Sequence, residues 1–83
     1  IYVSVSGFGN LGDSPYASWA AYAPIVEAMA GFYEAKRPPD RPPVVGPAGA
    51  LGDIGSSLFA AIGLLAALRE RDRTGRGRHV DVA

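Results

Sequence analysis

No cysteine occurs among the 83 residues, which excludes a disulfide framework, a thiolate metal site and a cysteine nucleophile. One histidine, His79, is too few for a histidine-based zinc centre, so no metal is expected. Net charge is missing as well. Eight basic and eight acidic side chains cancel, and no overall field draws the chain to nucleic acid or to an acidic membrane. The longest apolar run, Leu58 to Leu68, has eleven residues, against the roughly twenty of a membrane-spanning helix. No secretory leader is expected from the opening residues. A cytoplasmic chain with neither nucleic-acid nor membrane partner is expected. It starts at Ile1 without an initiator methionine and stops at Ala83 within the alternation "HVDVA", so a piece of a longer protein is expected too.

What charge there is sits unevenly. Five arginines lie between Arg69 and Arg78, against Glu70 and Asp72. A solvated helix end, where cations complement the C-terminal dipole, explains them better than a phosphate contact.

The order of elements reads strand, helix, long buried helix, strand. Residues 2–6 alternate, with Val3 and Val5 on one face, and a loop rich in Gly, Asn, Asp, Ser and Pro follows to Pro15. A helix is predicted near Pro24, carrying Tyr22, Val26, Met29 and Tyr33 on an apolar face and tolerating Gly31 within it. Residues 36–49 hold Pro38, Pro39, Pro42, Pro43 and Pro47, which predicts an extended, stiff connection. A long helix should run from about Ile54 or Ser56 to Asp72, apolar almost all round as if buried against a sheet. "TGRG" stops it, and Val80 and Val82 alternate with His79 and Asp81 as in a strand. The class is α/β, residues 1–83 forming one partial domain.

"GFGNLG", residues 7–12, spells the dinucleotide fingerprint G-x-G-x-x-G. Its context fails. Gly12 runs into "DSPYAS", where Asp13 would set a carboxylate near the phosphates. The acidic residues further on, Glu27 and Glu34, belong to the helical stretch and not to a second strand. A nicotinamide or flavin site is not expected.

"GALGDIGSS" sets Asp53 between Gly52 and Gly55 at the mouth of the long helix. Aspartate is a strong N-cap residue, worth about 1 kcal/mol there, and on composition and spacing alone that reading takes precedence. Ser56 or Ser57 could cap equally well, however, and the flanking glycines let a large ligand reach the carboxylate. A helix N-terminus favours an anion, as a carboxylate nucleophile requires. His79 and Asp81 share a strand face with no serine fixed near them by sequence, and read as surface. Asp13 and Glu34 have no partner that makes them an acid–base couple with Asp53. Tyr16, Trp19 and Tyr22 read as packing residues before ligand platforms.

Three stretches taken together, "SVSGFG", "SPYASWAAYAPIVEAMAG" and "GALGDIGSSLFAAIGLLAALRERDRTGRGRHVDVA", resemble the family III CoA-transferases, the CaiB/BaiF group that includes formyl-CoA and carnitine CoA-transferases. The resemblance implies an internal slice of a Rossmann-like large domain. It implies that Asp53 attacks an acyl-CoA thioester to form an aspartyl mixed anhydride, and that a carboxylic acid finally takes over the CoA. It places Ala20, Ala21, Tyr22 and Ala23 along coenzyme A, which is substrate, with no further cofactor. The full-length protein would be an interlocked homodimer, and the helix Leu58–Leu68 would be uncovered in an isolated fragment, which is expected to be inactive. Related racemases carry histidine at the position of Tyr22, so racemisation is the less favoured alternative. A non-catalytic interaction fragment is another. Formyl-CoA transferases carry lysine and glutamate at Ala20 and Ala23, and these departures leave the substrate acid open.

Overall fold

A computed structural model describes residues 1–35, 37–44 and 50–83. Among them run β1 (Tyr2–Val5), α1 (Ala23–Met29), α2 (Leu51–Thr74) and β2 (His79–Val82). The two strands pair in parallel, Tyr2 opposite His79 and Val5 opposite Val82. The ladder is extended by Tyr2 N–H to the Arg78 carbonyl and by Ser6 N–H to the Val82 carbonyl, both 3.0 Å. Parallel neighbours need a long crossover, and here the two helices supply it. The α/β class expected from the sequence is the architecture found.

α1 is shorter than predicted. It opens at Tyr22, whose backbone is extended (φ −119°, ψ 153°), with proline in its first turn. Gly31 then adopts a left-handed φ of 77°, which ends the helix instead of riding inside it. Tyr33 consequently falls in the following turn and folds back on α1, where its hydroxyl donates to Glu27. Of the proline stretch 36–49, residues 36 and 45–49 lie outside the described residues, and 37–44 are turns and irregular backbone.

α2 is longer than predicted at both ends. It starts at Leu51, after Ala50 in the left-handed region (φ 65°, ψ 25°), and no side chain from Ala50 caps it. It stops at Gly75 (φ 71°), whose N–H donates to the Arg71 carbonyl at 2.7 Å. Arg78 then pairs with both oxygens of Glu70, at 2.5 and 2.6 Å, which ties the turn into β2 back to the helix.

The sequence reading had α2 buried by its apolar residues; the packing face is instead its small ones. The less exposed positions are mostly small, Gly52, Gly55, Ser56, Ala60, Gly63 and Ala67, joined by Leu68 and Glu70 toward the C-terminal end, while Leu58, Phe59, Ile62 and Leu65 are each at least 61% exposed. A Cβ on Gly63 would lie 2.7 Å from Cγ1 of Val80, so the helix backbone rests directly on β2. The eleven-residue count also understates this helix. Its 24 residues, with a mean hydropathy of 1.8 in the most apolar window, are long and apolar enough to cross a membrane by length and composition alone.

Replacing Gly63 by alanine should therefore destabilise the intact protein. Overpacking against the stiff Val80 costs about 1–3 kcal/mol, against a gain of roughly 1 kcal/mol in helix propensity. Gly12→Ala, whose Cβ would meet nothing within 4 Å, should stay within about 0.5 kcal/mol. Denaturant midpoints test the pair, and a raised midpoint for Gly63→Ala would contradict the contact.

Candidate functional site

The end of β1, the entry to α1 and the first turn of α2 converge on a groove of about 720 Å³. Its walls include Gly7 and Phe8 of the glycine loop, Tyr22, Glu27 and Asp53. Three segments that are far apart in the chain thus meet at one place.

Asp53 does not cap its helix. It is the third residue of α2, and the cap position belongs to Ala50. The helix can begin this early because the Gly52 N–H, which would otherwise lack a partner, donates to Oε1 of Glu27 at 3.0 Å. Neither serine caps either. The Ser56 and Ser57 hydroxyls donate backwards, to the Gly52 and Asp53 carbonyls at 2.7 and 2.8 Å. The Asp53 side chain is exposed, and among the described residues no hydrogen bond or ion pair engages its carboxylate. Its place in the first turn suits an anion, since the helix dipole is positive there.

The segment 20–23 divides by function of place. Tyr22 is 70% exposed and lines the groove, as do Ala21 and Ala23, whereas Ala20 is not among the lining residues. Ala23 is buried and packs under Gly52: a Cβ on that glycine would lie 3.3 Å from Cα of Ala23. Gly7 is needed for space on the other side, because a Cβ there would fall 1.9 Å from that of Ala21. Phe8, Tyr16 and Trp19 form an aromatic chain with centroids 5.6 and 4.9 Å apart, whereas Tyr22, read from the sequence as a packing residue first, is exposed at the groove.

The sequence reading of Asp81 as surface is corrected by its contacts. Its carboxylate accepts the Asn10 N–H at 2.5 Å, the Asn10 side-chain amide at 2.8 Å and the Leu11 N–H at 3.1 Å. The Ser4 hydroxyl donates to it at 2.5 Å and also lies 2.7 Å from Nε2 of His79. The serine absent from the sequence argument stands directly across the ladder, Ser4 opposite Asp81. Ser4 sits between His79 and Asp81 and directs its proton to the carboxylate, whereas a triad sets the histidine between serine and carboxylate. The Ser4 hydroxyl first, then the Asn10 donors, hold the Asp81 carboxyl well below the usual carboxylate range, with burial opposing and the Leu11 N–H adding. Of the amides of "GFGNLG", those of Asn10 and Leu11 are thereby spent on Asp81 and that of Gly9 on the Ser6 hydroxyl.

Sequence reasoning missed Glu27 and Asp81 as anchors. One signal for Glu27 was available: it lies four residues after Ala23 and beside Val26, within the inward stripe of α1. Nothing local marks Asp81, whose donors come from residues about seventy positions away.

The family model of CoA-transferase family III matches residues 1–83. Over 83 residues the chain is 43% identical to the acetyl-CoA:oxalate CoA-transferase of Acetobacter aceti, covering 100% of this chain and 21% of that protein. It is 41% identical over 83 residues to the formyl-CoA:oxalate CoA-transferase of Streptomyces avermitilis, covering 100% of this chain and 19% of the relative. The succinyl-CoA–D-citramalate CoA-transferase of Chloroflexus aurantiacus is 43% identical over 83 residues, covering 99% and 20%. Among solved structures, a CAIB/BAIF family protein from Brucella suis superposes with a TM-score of 0.87 at 40% identity, covering 100% of this chain and 21% of that one. The chain spans about a fifth of the length of the relatives it matches.

A carboxyl depressed in the folded state adds stability that is complete above the free aspartate value, about 3.9, and is lost as the pH falls below it toward the folded value. Wild-type protein should accordingly lose thermal stability below about pH 4. Asp81→Asn should be less stable at neutral pH and show a shallower acid limb, with faster amide exchange at Asn10 and Leu11. Melting curves that run parallel across the acid range would rule out the anchoring role.

Proposed function

The chain belongs to CoA-transferase family III, and from that premise we propose that it carries the nucleophile of a CoA transfer, Asp53. What supports the reading most is one observation. Of the two carboxylates lining the groove, Glu27 is committed to backbone and hydroxyl donors, while that of Asp53 is exposed and unengaged among the described residues. The 83 residues are a slice of a longer α/β large domain of Rossmann-like build, and the full-length protein, a cytoplasmic homodimer, is the acting unit.

In this reading an Asp53 oxygen attacks the thioester carbonyl of an acyl-CoA and expels CoA thiolate, leaving an acyl-aspartyl anhydride. The thiolate attacks the aspartyl carbonyl and releases the donor acid as its carboxylate. The acceptor carboxylate then attacks the aspartyl thioester, frees the thiolate again and forms a second anhydride. Thiolate attack on the acceptor's acyl carbon yields the new acyl-CoA and restores Asp53. No proton is gained or lost, so no general base is required, and none stands at the position of Tyr22. Ala20, Ala21, Tyr22 and Ala23 lie along coenzyme A, with Ala21, Tyr22 and Ala23 at the groove. Coenzyme A is a substrate and no additional cofactor takes part. The relatives are named for oxalate, D-citramalate and glutarate, and the acceptor is accordingly read as a dicarboxylic acid.

Asp53→Ala in the full-length protein should lower kcat by at least about a thousandfold with the fold unchanged by circular dichroism. Quenching a mixture of enzyme and acyl-CoA with hydroxylamine should leave a hydroxamate on the peptide carrying Asp53. An adduct on a different peptide, such as that of Glu27, overturns the assignment.

A further inference from the structure

The transfer chemistry leaves one groove carboxylate without a part. Glu27 is 8% exposed, and both its oxygens are occupied. Oε1 accepts the Gly52 N–H at 3.0 Å, and Oε2 accepts the Tyr33 hydroxyl. The Tyr33 hydroxyl first, and the Gly52 N–H next, hold this carboxyl below its ordinary range, while burial works the other way. A carboxylate so engaged is a fixed acceptor, not a mobile acid or base.

Its target is the first turn of the nucleophile's helix. Gly52 is the second residue of α2, and Ala50 offers no side chain to serve the free N–H groups there. The contact is made across a tight surface: a Cβ on Gly52 would lie 3.1 Å from Cγ2 of Val26 and 3.3 Å from Cα of Ala23. Asp53 follows Gly52 directly, so any rotation of this turn swings its carboxylate. We infer that Glu27 is a positioning residue, which holds the Gly52 N–H and thereby fixes the angle at which Asp53 faces the groove. The inference rests on Asp53 being the nucleophile.

Glutamine and aspartate at position 27 separate the possibilities. Glu27→Gln keeps an acceptor oxygen at the right reach and an amide that can meet Tyr33. Glu27→Asp keeps the charge but is one methylene too short. The full-length protein is assayed with the acyl-CoA and acid it turns over, drawn from acetyl-CoA, succinyl-CoA, oxalate and glutarate. Glu27→Gln should retain kcat within about tenfold. Glu27→Asp should lose about a hundredfold in kcat, the cost of a misplaced reacting group, with KM for acyl-CoA unchanged. Glu27→Met, similar in length and without an acceptor, serves in its place if the aspartate variant does not fold, with the same expectation. An aspartate variant more active than the glutamine one, or a loss confined to KM, overturns the inference. Asp53→Ala runs alongside. Turnover surviving there defeats the nucleophile itself, whereas turnover that needs Asp53 and ignores Glu27 defeats only the positioning role.

Discussion

The closeness of α2 to its neighbours is the constraint on which everything else hangs. At Gly52 and at Gly63 the helix backbone approaches α1 and β2 more nearly than a methyl group comfortably allows. Contact at that range comes from small side chains along one stripe, and it fixes the helix in two places along its length. The stripe carries little hydrophobic stabilisation by area, since glycine and alanine bury few apolar atoms. What it provides is register. A helix seated backbone to side chain has few alternative positions, so its first turn is aimed at the groove with little freedom.

Three carboxylates divide the remaining work. Asp81 gathers the glycine loop by its amides, and Glu27 gathers the first turn of α2 and the turn after α1. Both sit where several donors converge, which stabilises their ionised forms. Asp53 is the exception, its carboxylate met by no donor among the described residues. A loop whose amides satisfy a fixed aspartate has no claim on a phosphate, and a helix start whose N–H is met from another helix has no claim on its own aspartate. Anchoring by the first two is therefore what frees the third.

The sequence made some of this legible and concealed the rest for identifiable reasons. Strand–helix–helix–strand order, the stop at "TGRG" and the failure of the dinucleotide context all followed from local composition. Asp53 could be singled out, but its role as a cap was indistinguishable from an accessible carboxylate, because the difference lies in Glu27, 26 positions earlier. Helix ends were misplaced for a similar reason. Gly31 and Ala50 both adopt left-handed backbone, and only for the glycine does residue type hint at it. The Ser4–Asp81 pairing depends on parallel register between the two ends of the chain, which no short window contains.

Reading α2 as uniformly apolar hid its most informative property, which is how its size is distributed. Ala23 and Ala67 are the buried apolar residues among those described, far too little to offset the entropy of ordering so many residues at about 1–2 kcal/mol each. The bulk sits outside instead, on Leu58, Phe59, Ile62 and Leu65. A membrane would match that hydropathy, but it would not account for a small-residue stripe already engaged with two strands and a second helix. In the full-length transferase proposed above, these large side chains would meet further protein, and the two faces would serve different ends. The small face seats the helix whose first turn carries Asp53. The large face would supply the apolar burial that holds α2 down.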